Sequence, residues 1–114
     1  MNWINESVKR SKKLRNHYKM HEIDIFIKDE LPDNIDPDLV FNTFKKLIPI
    51  HLLGGIDIVY VGEFDIFKQK KVNAVFQDGA IYVTNHQDSN QDMIDDIVHE
   101  LAHSVEERFT QNIY

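Results

Sequence analysis

The sequence predicts an α+β fold in which a small mixed β-sheet packs on a backing helix and on a second, C-terminal helix. Three patterns predict it. Short segments rich in β-branched residues are typical of strands, an Asp-Gly pair between two of them is typical of a β-hairpin, and apolar residues recur at helical spacing in two longer segments. The 114 residues, 42% of them hydrophobic and 28% charged, fit one compact domain with a single core.

Residues 1–20 are predicted to form a basic N-terminal helix or arm, and residues 21–114 the domain itself. Glu6 is the only acid in the first segment, which contains six basic residues: Lys9, Arg10, Lys12, Lys13, Arg15 and Lys19. The whole chain nevertheless carries a net charge of −6. Charge runs usually form solvated faces, and no nucleic-acid-binding motif accompanies this one, so the composition argues against a nucleic-acid partner.

The first half of the domain is predicted to contain a strand, a helix and a second strand. Residues 23–28 alternate apolar and polar side chains, which indicates a half-buried strand. Asp36 is a suitable N-cap, Pro37 suits a first helical turn, and the helix is expected to continue to about Leu53, before a Gly-Gly pair. Residues 56–61 are β-branched at four of six positions and predict the second strand.

The second half of the domain is predicted to begin with a hairpin. Residues 63–71 are interpreted as a loop or a weak helical turn over the sheet. Residues 74–76 and 80–84 form two short strands, and Asp78 and Gly79 form the turn between them, because an Asp-Gly pair readily adopts the positive φ angles of a tight β-turn. The hairpin therefore adds two strands to the sheet.

The last helix is expected at about residues 90–109. Ser89, followed three residues later by Asp92, resembles a capping box at its start. His99 and His103 lie on a face of this helix that also contains several acids. The apolar residues fall on a different stripe, which predicts the face that packs on the core: Ile94, Ile97, Val98, Leu101 and Val105.

The segment from His99 to His103 reads His-Glu-Leu-Ala-His, an HExxH motif. Side chains four residues apart project from one helix face, so both imidazoles can bind a single metal ion. Glu100 lies about 100° further round the helix, where its carboxylate can accept a proton from a water at the ion. Such an ion lowers the pKa of water and polarises a carbonyl group, so the motif predicts peptide-bond hydrolysis. Two other interpretations stay open: an exposed histidine pair without a chemical role, and an inactive relic of a metal site.

This motif, following a hairpin strand and a capped helix, resembles the zincin superfamily of metallopeptidases, closest in character to small gluzincin-like or phage-type enzymes. The resemblance implies a zincin-like upper subdomain and a zinc metalloendopeptidase-like hydrolase. It implies one Zn²⁺ ion with His99 and His103 as ligands, and Glu100 as the general base. It also implies an antiparallel edge strand that binds extended substrate: Ala80, Ile81, Tyr82, Val83 and Thr84. The peptidase domains of bacterial repressor-cleaving regulators are similar too, and that resemblance implies a specific protein substrate.

The third zinc ligand is the point at which the chain departs from the family pattern. Catalytic zinc normally has three protein ligands. In metzincins the third is a histidine six residues after the second, where this chain has Phe109. We expect the chain to be truncated at its C-terminal end, with the missing region or a partner chain completing the site. The alternatives within the chain are Glu106, Glu107, His86, Asp92 and Asp95.

Composition limits the remaining classes. The sequence contains no cysteine, which excludes disulfides and thiolate metal sites. It has no apolar segment long enough for a membrane span and no secretory signal pattern, so we expect a cytoplasmic protein that acts on a peptide or protein substrate. The alternative function is a non-catalytic or inactive zincin-like binding module whose basic N-terminal arm contacts an acidic partner.

Overall fold

The structure is a computed structural model that describes residues 16–113, with side chains described as far as Phe109. It is an α+β fold with a five-stranded mixed sheet and, in the described part of the chain, three α-helices. The predicted fold class is confirmed at this level. The elements are β1 (His17–Met20), β2 (Ile23–Ile27), α1 (Pro37–Leu47), a 3₁₀-helix (Ile50–Leu53), β3 (Ile58–Val61), α2 (Asp65–Lys70), β4 (Ala74–Gln77), β5 (Ala80–Val83) and α3 (Asn90–Ile113).

The strand order in the sheet is β1-β2-β3-β5-β4. β1 pairs with β2 and β4 pairs with β5 in antiparallel fashion, whereas β2, β3 and β5 are parallel to one another. The prediction that residues 80–84 form the substrate-facing edge is therefore wrong, because β5 lies between β3 and β4. Ile81 and Val83 are fully buried, as suits an inner strand, and the edge on this side of the sheet is β4.

The N-terminal part of the sheet was also predicted incorrectly. Residues 17–20, assigned to the basic helix or arm, form β1, which is a strand of the sheet. Tyr18 and Met20 are 4% and 2% exposed and lie two residues apart, which places both side chains on the same face of a strand. Burial of this face against the core therefore favours a strand here over a helix. His21, with a φ of 55°, makes the tight turn into β2. Residues 1–15, which contain the rest of the predicted arm, lie outside the described residues.

The predicted cap of α1 is confirmed, but the helix is shorter than expected. Asp36 accepts a hydrogen bond from the Leu39 amide (3.3 Å), and Pro37 occupies the first turn. The helix ends at Leu47 because the next residue, which precedes Pro49, is extended. The residues up to Leu53 form the separate 3₁₀-helix.

The hairpin and the last helix were predicted well. Asp78 and Gly79 have φ angles of 51° and 81°, as a two-residue turn requires. Ser89 accepts a hydrogen bond from the Asp92 amide (3.1 Å), which confirms the cap of α3. The segment read as a loop or weak turn contains the short helix α2. In the part of the chain that the structure describes, no helix is both long and apolar enough to cross a bilayer.

One face of the sheet packs against α1 and α3, and the core lies between them. Ile25, Val59 and Ile81 are neighbours in register across three strands and are at most 1% exposed. They meet Phe44 from α1 and Ile97 from α3 in one continuous cluster. α3 contacts α1, β4 and β5, so the HExxH motif lies beside the β4 edge of the sheet.

The other face of the sheet carries a row of rings in cross-strand register. His17, Phe26, Tyr60 and Tyr82 come from four neighbouring strands. Adjacent ring centroids are 4.7, 6.3 and 5.3 Å apart, and each pair is stacked. Phe64, immediately before α2, packs edge-on against Tyr82 at 5.2 Å. These contacts place α2 on this face, near β5.

Candidate metal centre

His99, Glu100 and His103 form a compact group on α3. Each contributes one potential ligand atom, and these atoms all lie within 4.8 Å of one another. Within the described residues it is the one such group of three or more acidic or histidine side chains. Both histidines are exposed and Glu100 is buried, so the group has an open side and a protein side.

The two histidines converge through the same ring nitrogen. Their Nε2 atoms are 3.2 Å apart, and the rings are nearly perpendicular, at 87°. Two imidazoles bound to a tetrahedral zinc ion at 2.0–2.1 Å have nitrogens about 3.3 Å apart. The observed separation is within about 0.1 Å of this value, and it is also the length of a hydrogen bond between the two rings. This agreement is more specific than the sequence spacing, which fixes the helix face but not the ring orientation.

Glu100 is held between α3 and the edge strand. Glu100 is only 7% exposed, and its Oε1 atom accepts a hydrogen bond from the Phe76 amide at 3.0 Å. Oε2 has no hydrogen-bond partner among the described residues. A buried carboxylate normally needs hydrogen-bond donors, and here the sheet edge supplies one. One oxygen is thus fixed and the other is free for chemistry.

The register of the hairpin explains why Phe76 can donate to Glu100. The Thr84 amide donates to the Asn73 carbonyl (2.9 Å), which marks a hydrogen-bonded pair of the β4–β5 ladder. Since such pairs alternate along antiparallel strands, the backbone groups of Ala74 and Phe76 point away from β5. The outward Phe76 amide meets Glu100, and the outward groups of Ala74 face the space beside the histidines.

A cleft of about 440 Å³ lies beside this group. β4 forms one wall, and the stripe of Asp96, His99, Glu100 and His103 forms the other. The end of the cleft is formed by residues between α2 and β4, which sequence reasoning did not connect with the site: Lys70, Val72 and Asn73. No local sequence pattern identifies these residues as part of the site, because they reach it only through the strand order, which brings β4 beside the motif.

Asp96 lies one helical turn before His99 and is tied to the end of β5. It accepts a hydrogen bond from Gln87 Nε2 (3.0 Å), and Gln87 also donates to the Thr84 carbonyl (3.0 Å). Burial raises the pKa of Asp96 above its ordinary value, although the bond from Gln87 opposes this. Asp96 is one of the acids predicted on the histidine face of the helix, and the sequence alone indicated no role for it.

The structure does not bring the predicted third ligands to the histidine pair. Glu106 Oε2 lies 3.8 Å from His103 Nδ1, which is the ring nitrogen opposite the one that meets His99. This separation is too long for a hydrogen bond, and both side chains are exposed. His86 is hydrogen-bonded to Glu63, both of them exposed. None of the other candidates joins the described group: Glu107, Asp92 and Asp95.

Comparison of the chain with protein-family models, curated proteins and solved structures gave no match. Function is therefore inferred from the chemistry of the site. The features that carry the inference are two neighbouring histidine nitrogens, a buried carboxylate beside them, and a strand edge along the same cleft.

Proposed function

We propose that the protein is a zinc-dependent metallopeptidase of the zincin type, with His99 and His103 as ligands of one Zn²⁺ ion and Glu100 as the general base. The single observation that supports this most strongly is the 3.2 Å separation of the two Nε2 atoms, next to the carboxylate of the intervening motif position. Three mutually oriented groups of this kind have a chemical use that a solvated histidine pair does not have.

The protein's own residues supply the proton transfers. A zinc ion, when bound, acts as a Lewis acid and lowers the pKa of water. The bond from the Phe76 amide fixes Glu100 Oε1, which leaves Oε2 to accept a proton from the attacking water. The same carboxyl group then donates that proton to the leaving amine. Burial at 7% exposure keeps the carboxylate away from competing bulk water.

The proposed substrate is an extended peptide or protein segment that pairs with β4. The role predicted for β5 passes to β4, because β4 is the strand that borders the cleft. The outward backbone groups of Ala74 are free to pair with a peptide backbone in the manner of an added strand. Such a peptide would pass directly over the histidine pair.

The third protein ligand in this proposal comes from outside the described side chains, either elsewhere in the protein or from a partner chain. Side chains 16–109 supply two histidines to the group and no third ligand besides Glu100, which is assigned to proton transfer. If a partner chain completes the site, zinc affinity rises with protein concentration over the range in which the protein associates. A zinc titration at several protein concentrations distinguishes the two sources.

The test combines metal analysis with peptide cleavage in wild type, Glu100→Gln and Glu107→Gln. Glu107 is an exposed glutamate on the same helix and provides a matched control. We expect wild type and both variants to bind one zinc ion per chain. Cleavage falls at least about a hundredfold in Glu100→Gln and is unchanged in Glu107→Gln. A wild-type protein that binds no zinc, or a Glu100→Gln variant that cleaves normally, would overturn the proposal.

A further inference from the structure

The far end of the cleft, beyond the histidine pair, is built by the connection between α2 and β4. α2 ends at Lys70, and Lys71 adopts a left-handed conformation with a φ of 55°. The amides of Lys71 and Val72 both donate to the Phe67 carbonyl, the latter at 3.1 Å. This helix cap fixes the path of the chain from Lys70 to Asn73 and so sets the shape of the cleft end.

Lys70 is the only cation among the described residues that line the cleft. It is exposed, and the salt bridges of the described residues do not include it. Neither carboxylate of the cleft pairs with Lys70: Asp96 accepts a hydrogen bond from Gln87, and Glu100 accepts one from the Phe76 amide. Among the described residues, Lys70 is thus an unpaired positive charge at one end of the cleft.

The neighbours of Lys70 define a small pocket of mixed character. Val72 is 40% exposed, which is unusual for a valine and leaves an apolar surface in the cleft. Asn73 is also exposed and offers an amide group next to it. A side chain with a short aliphatic stem and a terminal carboxylate matches this arrangement: the stem packs on Val72 and the carboxylate reaches Lys70 and Asn73.

We infer that this pocket is a specificity subsite for an acidic residue, Asp or Glu, of the peptide substrate. The inference rests on the proposed peptidase function and adds the substrate class. A peptide paired with β4 runs from Phe76, opposite Glu100, towards Asn73. This distance is three residues, or about 10 Å in extended chain. The acidic residue therefore lies about three residues from the bond that is cleaved.

The test compares cleavage of matched peptides that differ only in Glu or Gln at each of the positions near the scissile bond. Gln has nearly the shape of Glu without its charge, so the comparison isolates the charge. For an exposed ion pair the wild type should favour Glu by about fivefold in kcat/KM at one position. This preference should weaken as the salt concentration rises.

Two charge reversals on the same helix provide the variant and its control. Lys70→Glu removes the preference for Glu and favours a Lys peptide at that position. Lys68→Glu changes the net charge equally, but Lys68 does not line the cleft, so the preference for Glu is kept. An equal effect of both variants would show a general effect of charge and overturn the subsite. No preference in the wild type would overturn it as well. Thermal unfolding of both variants checks that they fold.

The subsite and the peptidase activity can fail separately. If wild type cleaves peptides but Lys70→Glu leaves the preference unchanged, the subsite is refuted and the peptidase function stands. If no peptide is cleaved, the peptidase function is refuted. Binding of fluorescent Glu and Gln peptides, measured by anisotropy, still decides the subsite. Tighter binding of the Glu peptide that disappears in Lys70→Gln supports it, and equal binding of both peptides refutes it.

Discussion

Zinc should stabilise the folded protein through the histidine pair. The Nε2 atoms of His99 and His103 are 3.2 Å apart, close to the separation of about 3.3 Å that a tetrahedral zinc requires, and the ion would replace the hydrogen bond between the rings. Both side chains are on one face of a continuous helix, so the site is formed in the folded chain and lost when α3 unfolds. Zinc therefore binds the native state preferentially and raises its melting temperature.

The expected shift follows from the linkage between binding and unfolding. Free zinc at a hundred times its dissociation constant adds about 2.7 kcal/mol to the free energy of unfolding. A chain of 114 residues has an unfolding entropy of about 0.24 kcal/mol per kelvin. The ratio of the two is a rise of about 11 °C in the melting temperature.

Thermal unfolding followed by circular dichroism, with and without zinc, measures this shift. In His103→Ala most of the shift should be lost, although the metal-free protein melts nearly as wild type does because the side chain is about half exposed. His51→Ala provides a control, since this exposed histidine is not part of the group and its removal should keep the full shift. An equal zinc shift in wild type and His103→Ala would refute the assignment of the ligands.

Three further predictions concern the surroundings of the site and the core. Glu106→Gln should weaken zinc binding by no more than about threefold, because the carboxylate is exposed and lies 3.8 Å from His103 Nδ1, too far for a hydrogen bond; competition with a chelator measures the affinity. Because burial raises the pKa of Asp96 in the folded state, the protonated carboxyl adds to the free energy of unfolding below pH 3.8, and this contribution is lost as the pH rises through the folded pKa. Asp96→Asn should remove this pH dependence, which urea unfolding at several pH values measures. Phe44→Ala, at a side chain with no exposure, should lower the free energy of unfolding by about 3–5 kcal/mol in the same assay.

The sequence was most informative where local chemistry determines the structure. Asp78 and Gly79 adopt positive φ angles in any tight hairpin turn, so two residues were enough to predict it. The spacing of His99 and His103 places them one turn apart on any helix, whatever the helix packs against. These features depend on neighbours in the chain, and the structure agrees with them.

The strand order could not be predicted in the same way, because it depends on pairings between distant segments. Residues 74–77 and 80–83 are both short and largely apolar, and a hairpin can join a sheet through either strand. One signal was present: β4 ends in the polar Gln77, whereas β5 contains no charged or amide side chain, as suits an inner strand. The identity of the edge strand determines which backbone groups border the cleft. Assigning the edge to β5 therefore led to the wrong prediction of the substrate-binding strand.

The N-terminal strand was missed for a related reason. The basic residues before Asn16 favoured a solvated helix or arm, and the prediction extended this segment to residue 20, which includes β1. Tyr18 and Met20 contain the correct signal, a period of two, but two residues are too few to outweigh a longer charge pattern. Only pairing with β2 makes the strand stable.

The bond between Glu100 and Phe76 has a consequence for association between molecules. Unpaired amides on an edge strand are a template on which the strand of another chain can add, and proteins protect such edges with charges. Glu100 occupies the outward amide of Phe76 and places a carboxylate beside the strand. Glu100→Ala should therefore do more than remove a base: it uncovers β4, and size-exclusion chromatography should show larger species at high concentration. The residue proposed to hydrolyse peptides would also keep the molecule from capturing copies of itself.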